Sequence, residues 1–128
     1  LASQLGVDDR VRFLGQIAND QLSTWYSAAD ALILCSSREG WANVLLESMA
    51  CGTPVVATNI WGTPEVVSNP IAGRLMRVRT ATALRESLLA LLGNHPSAND
   101  VRIFSENFSW ESTTLGQLKI FRNILNAA

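Results

Sequence analysis

The chain has 128 residues, a net charge of −1, 48% hydrophobic residues and 16% charged ones. That is enough for one domain with a real core and too little for two, and the apolar weight excludes a disordered chain. The near-neutral charge gives no electrostatic reason to expect nucleic acid or an anionic membrane as the main partner.

Leu1-Ala-Ser-Gln-Leu-Gly-Val7 reads as the last turns of a helix stopped by Gly6, and it starts on Leu rather than Met, as expected of a piece of a longer protein. Asp8 and Asp9 make a turn, and Val11 to Leu14 predicts a brief strand closed by Gly15. Asn19 or Asp20 is placed to cap a helix running to about Ala29, with Leu22, Trp25, Tyr26 and Ala29 on one face. Ala31 to Cys35 reads as a second strand. Val44 to Cys51 is a helix stopped at Gly52, and Pro54 to Ala57, too short for a helix and rich in β-branched residues, is the next strand. Strand, loop, helix, strand is a crossover unit, and such units build parallel sheets buried on both faces. Pro64 starts a short helical segment through Ser68, Asn69-Pro70 breaks it, and Gly73 to Met76 predicts a fourth strand.

Beyond Arg79 only helices are expected. Thr82 to Leu92 carries a stripe of Leu84, Leu88, Leu91 and Leu92, suited to core packing or to docking another domain. Ser97 to about Asn107 and Glu111 to about Asn126 form two more helices, hinged near Phe108-Ser-Trp110, with Trp110 as an anchor between them. Cys35 and Cys51 each lie inside an apolar element and read as buried free thiols of a reducing compartment, not as a disulfide or metal site. No apolar run reaches the length of a membrane span, and the start of the chain lacks the charged head and apolar core of a signal peptide.

In open parallel sheets ligands bind beyond the carboxyl ends of the strands. Here that edge receives Ser36, Ser37, Arg38, Glu39 and Gly40. Glu47 follows Glu39 by eight positions, and with a helix start near Ala42 it falls roughly 7 Å along the axis, at about 1.5 Å per residue. The amides of Gly40 to Val44 carry the positive end of the helix dipole between the two carboxylates and suit a phosphate, and Gly40 permits close backbone approach. Spacing alone favours an ordinary capping role for Glu39 and a solvated position for Glu47. Ser36 and Ser37 have no histidine nearby in sequence to make them nucleophiles. His95, the single histidine, lies in a Pro-containing turn and reads as a surface residue, and Arg74, Arg77 and Arg79 read as a solvated strand edge.

The wording SSREGWANVLLESMACGTPVVATNIWGTPEVV, together with VRFLG at Val11 to Gly15, WYSAADALILCS, and FSWE at Phe108 to Glu111, resembles the carboxyl-terminal domain of a retaining GT-B glycosyltransferase of family 4 over nearly the whole chain. The resemblance implies an α/β fold, a Rossmann-like parallel sheet flanked by helices and lacking its first strands, with a helical carboxyl-terminal tail. Residues 1–128 would then be a single, truncated nucleotide-sugar-binding domain. By the same resemblance Glu39 is catalytic, touching the donor sugar and stabilising positive charge at its anomeric carbon. Gly40, Trp41, Ala42, Asn43 and Val44 set amides on sugar and phosphates, Glu47 binds the ribose hydroxyls, and Gly15 and Gln16 lie near the base.

The implied partners are a nucleotide sugar, the amino-terminal domain of the same enzyme and a glycan or lipid-linked acceptor, with no nucleic acid. No metal or other cofactor is implied, and the setting is cytoplasmic, with any membrane association left to the missing part. A non-catalytic nucleotide- or sugar-phosphate-binding module is the alternative. Two departures stand out: the Lys and Arg that grip the diphosphate in the family belong to strands preceding Leu1, and Trp61-Gly62 stands where the family often has two glycines.

Overall fold

The computed structural model describes residues 1–126. Three strands, β1 (Leu32–Leu34), β2 (Val55–Thr58) and β3 (Gly73–Met76), form a parallel sheet in the order β1-β2-β3. Leu32 pairs with Val55, and Val55 in turn with Gly73. The helices are α1 (Leu22–Ala28), α2 (Asn43–Ala50), the single turn α3 (Thr63–Val66), α4 (Ala81–Gly93), α5 (Ala98–Ser105) and α6 (Trp110–Asn126), with short 3-10 turns at Ser3–Leu5, Asp8–Arg10 and Asn19–Gln21.

The central position of β2 explains its composition. With a strand on each side and helices on both faces, all four of its residues are buried, and Val-Val-Ala-Thr suits such a slot. Alternation along the strand sends Val55 and Ala57 to one face, where they meet Leu45 and Met49 of α2, Val66 of α3 and Val101 of α5. Val56 joins Met76 of β3 on the other face and packs on Leu91 of α4, with Leu84 and Leu88 partly buried beside it. The leucine stripe of α4 is therefore core, except for Leu92, which is exposed.

Chain signals set the element ends. Gly6 takes φ 65 after the first 3-10 turn, and Gly52 takes φ 85 after α2, where an added Cβ would meet Ala98 of α5 at 2.9 Å. Thr80 caps α4 by accepting from the Ala83 amide, and Ser97 caps α5 by accepting from the Asp100 amide. Ser48 and Thr53, both buried, are satisfied: Ser48 Oγ donates to the Thr53 carbonyl at 3.0 Å, and Thr53 Oγ1 donates to the Tyr26 carbonyl at 2.6 Å. The second bond fastens the end of α1 to the turn after α2.

Four expectations need correction. Val11 to Leu14 is not a strand: residues 11–18 run without ladder pairing, and Phe13 is 88% exposed, because a strand exists only with a partner and none of the three described strands receives it. The approach to α1 is a 3-10 turn with no side-chain cap from Asn19 or Asp20, and Trp25 and Ala29 lie exposed off its inner face. Cys35 and Cys51 are free thiols as expected but not buried, since both fall at the ends of their elements. Trp110 is 82% exposed and so is not the anchor between the last two helices; the aromatic packed at the hinge is Phe108, against Phe104 of α5 and Trp41 before α2.

Candidate functional site

Residues 35–42 leave the carboxyl end of β1 and run directly into α2, so Glu39, Gly40 and Trp41 stand at the edge where open parallel sheets hold ligands. Glu39 is half-buried and Gly40 and Trp41 are exposed. Ala42 is the buried N-cap of α2 and has no side chain that can accept a hydrogen bond; no acidic residue lies in the first turn. The Asn43 and Leu45 amides make turn bonds to the carbonyls of Trp41 and Ala42, both at 3.0 Å. The positive end of α2 is thus left uncompensated by any carboxylate or hydroxyl of its own.

Glu47 lies one turn further along, exposed, on the side that faces α1. Tyr26 Oη donates to Glu47 Oε2 at 3.2 Å, and the two line a recess of about 280 Å³ with Asn19, Leu22, Ser23 and Cys51. Partial burial pushes the Tyr26 phenol above its usual value, the Glu47 charge and hydrogen bond add to this, and Cys51 adds a smaller push. The phenol therefore keeps its proton and remains the donor throughout the neutral range. Thr53, by holding the Tyr26 carbonyl, sets the height of this ring against α2.

A second loop closes on the first. The loop after β2 carries Gly62 against the β1–α2 loop so tightly that a Cβ on Gly62 would sit 2.5 Å from the Gly40 carbonyl oxygen and 3.5 Å from Trp41 Cε3. Trp61 beside Gly62 is the only non-glycine residue with positive φ among the described residues, at φ 44, and is 69% exposed.

On the other side of Trp41 a cleft of about 580 Å³ opens between the start of α2 and the hinge joining α5 to α6. Trp41, Asn43, Asn107, Phe108, Trp110 and Thr113 are among its lining residues.

The fold thus gathers Glu39, Gly40, Trp41, Ala42, Asn43, Val44 and Glu47 around the first turns of α2. Gly15 and Gln16 are exposed on the unpaired segment and line neither cavity. Sequence reasoning put Tyr26 on a core-facing stripe and missed its hydroxyl on Glu47, a partner 21 positions away. The general rule that a tyrosine hydroxyl seeks a partner was the one available signal. Arg74, on the edge strand β3, is partly covered, its Nη1 donating to the Pro70 carbonyl at 2.7 Å and to the Gly73 carbonyl at 2.9 Å, while Arg77 and Arg79 are exposed as expected. His95 is exposed, as expected, and its ring nitrogens sit 2.9 Å from the Pro96 and Asp30 carbonyls. Among the described residues no three His, Cys, Asp or Glu side chains gather as a metal site would require, and no helix is long and apolar enough to cross a membrane.

A family model described as glycosyl transferases group 1 matches residues 1–107. D-inositol 3-phosphate glycosyltransferase of Saccharomonospora viridis is 35% identical over 99% of this chain and 30% of its own length. The protein of the same description from Rhodococcus jostii is 41% identical over 95% of this chain and 28% of its own length. The chain therefore spans less than a third of these two relatives. Among solved structures, sucrose-phosphate synthase from Thermosynechococcus elongatus superposes with a TM-score of 0.80 at 29% identity, covering 99% of this chain and 33% of that one. HepE of Anabaena, solved in complex with UDP, superposes with a TM-score of 0.77 at 26% identity, covering 95% of this chain and 35% of that one.

Proposed function

The chain belongs to the glycosyl transferases group 1, with the Rossmann-like parallel sheet and flanking helices of a GT-B domain, and from that premise we propose that it is the donor-binding part of a retaining glycosyltransferase. It would be most of a domain of a longer enzyme, inactive in isolation, that moves a hexosyl group from a nucleotide sugar to a glycan or lipid-linked acceptor in the cytoplasm. The observation that carries this reading is an uncapped helix start flanked by two carboxylates, with Glu39 before the helix and Glu47 in its second turn, held by Tyr26.

The diphosphate of the donor takes the free end of α2, where the amides of Gly40 to Ala42 and of Val44 and the helix dipole supply the compensation that no side chain of α2 supplies, the Asn43 amide being turned to the Trp41 carbonyl. Glu47 accepts from the ribose hydroxyls. The Tyr26 hydroxyl occupies one carboxylate oxygen and leaves the other to the ligand, which fixes the carboxylate before the nucleotide arrives. Glu39, half-buried at the end of the loop, lies on the sugar side; its negative charge stabilises the oxocarbenium-like transition state, while the seat for the diphosphate stabilises the departing nucleotide. No metal or further cofactor enters this scheme. The UDP held by the structural neighbour HepE favours a uridine nucleotide among the candidates.

The test is calorimetric titration of the full-length protein with UDP, GDP and ADP sugars, wild type against Glu47→Ala. One nucleotide class should bind saturably, and Glu47→Ala should weaken it by about tenfold, the worth of hydrogen bonds to a charged group. Glu39→Gln should keep that binding and lose transfer by about a hundredfold or more. Equal affinity in Glu47→Ala, or no nucleotide bound by the wild type, would overturn the assignment. Binding with no transfer in the wild type would favour the non-catalytic module instead.

A further inference from the structure

Thr80 caps α4 and Ser97 caps α5 with a side-chain hydroxyl, which fixes the entry of the chain into the helix and in the same act occupies one of its open amides. The start of α2 is built differently. Its N-cap, Ala42, has no group to fix the entry or to occupy a donor, although this is the helix start that stands at the ligand edge of the sheet. Its geometry has to be held from elsewhere in the chain.

Trp41 is where it is held. Trp41 precedes the N-cap and Leu46 is the fourth helical residue, the two positions at which apolar side chains set the approach of a chain to its helix, and both border the cleft that Phe108 also lines. The Trp41 ring lies 6.1 Å from that of Phe108, inclined at 58°, and Phe108 meets Phe104 edge-on at 5.7 Å. Phe104 in turn packs against the core, so the row of rings is anchored. From the β2–α3 loop Gly62 comes so close that an added Cβ would lie 3.5 Å from Trp41 Cε3. The Trp41 carbonyl accepts from the Asn43 amide at 3.0 Å, so the residue whose ring is held is also the one whose backbone closes the first bend of α2.

We propose that Phe108 is a positioning residue for the anion seat: through Trp41 it holds the turn that presents the amides of Gly40 to Ala42 and of Val44. Phe108 itself acts on no ligand atom. Ring packing fixes this turn without consuming a donor, which a capping hydroxyl could not do, and because folding has already ordered the rings the anion does not have to order them. The inference rests on the reading that a diphosphate takes the start of α2, and it adds to that seat a residue from the joint between α5 and α6.

The experiment is calorimetric titration of the full-length protein with UDP, GDP and ADP, each beside its own nucleoside, in the wild type and in Phe108→Ala, Phe108→Leu and Phe108→Tyr. The ratio of nucleotide to nucleoside affinity reads the anion seat alone. For at least one pair the wild type should favour the nucleotide. Phe108→Ala should lower that ratio by about fivefold, the worth of one aromatic pair, by weakening the nucleotide and leaving the nucleoside where it was. Phe108→Tyr, which keeps the ring, should restore the wild-type ratio. A purely structural role for Phe108 would lower the thermal midpoint and leave the ratio unchanged, and that result overturns the inference. Should Phe108→Ala fail to fold, Phe108→Leu, which keeps most of the apolar volume but no ring, carries the test: a lowered ratio sustains the inference and an unchanged one overturns it. A wild type that binds no nucleotide more tightly than its nucleoside would remove the seat at α2 itself, and the role of Phe108 with it.

Discussion

Trp61 holds φ 44, a conformation that costs an L-residue about 1–2 kcal/mol, and its ring recovers little of that by burial at 69% exposure. Gly62 beside it is held tightly against the Gly40 carbonyl of the facing loop. Trp61→Gly should therefore raise the unfolding free energy by up to about 1 kcal/mol, since glycine's greater freedom in the unfolded chain offsets part of the relief. Urea denaturation reads this directly, and a loss of stability would mean that the indole makes a contact worth more than the backbone strain. The Tyr26–Glu47 bond follows a different rule. Because the folded phenol's pKa is raised, whatever stability it contributes is complete below the ordinary phenol value of about 10 and is lost as the pH rises beyond it. The carboxylates themselves were legible from the sequence as a pair spaced about the helix start. The hydroxyl that holds Glu47 was not, because a spacing pattern reports neighbours on one element and Tyr26 belongs to another.

At the scale of elements, β1, β2, β3 and the helices from α2 to α6 were legible within a residue or two, since apolar runs, glycine stops and proline starts all act within a few positions. Val11 to Leu14 holds three apolar residues in four and still forms no strand, which shows where local signals end: pairing is a property of two segments. Gly73 shows the opposite case, a residue whose role is invisible locally and forced by pairing. It takes φ 150 opposite Val55, and a Cβ there would overlap the Val55 backbone. Gly73→Ala should destabilise the fold by about 3 kcal/mol or more, as backbone strain and a broken register add. Chemical denaturation of this variant beside Gly93→Ala, where nothing lies within 4 Å of the added methyl, measures the difference. Similar losses in the two would sink the argument from β3.

Over the whole molecule the burial is lopsided. Every buried residue described falls between Ala42 and Val101, in or beside the sheet and α2 to α5, while no residue of α6 is buried and Leu115, Leu118, Phe121 and Leu125 stand open to water. Truncation after Ser109 should leave the thermal midpoint of this chain within about 2 °C of its original value and should reduce self-association, as read by sedimentation velocity. A large fall in the midpoint would show that α6 supports the core. The overall architecture was legible because alternating strands and helices allow few arrangements; the fate of α6 was not, because an amphipathic helix states that it will be covered and not by what. The sheet order has a kinetic meaning as well. Because β1, β2 and β3 stand side by side in the order in which they occur along the chain, each new strand adds to an open edge after one short crossover, and none has to be inserted between two already joined. Loop closure is then met in small instalments, the contacts formed are modest in sequence separation, and the three strands can assemble outward from the pairing of β1 with β2 faster than a sheet of the same size with a shuffled order.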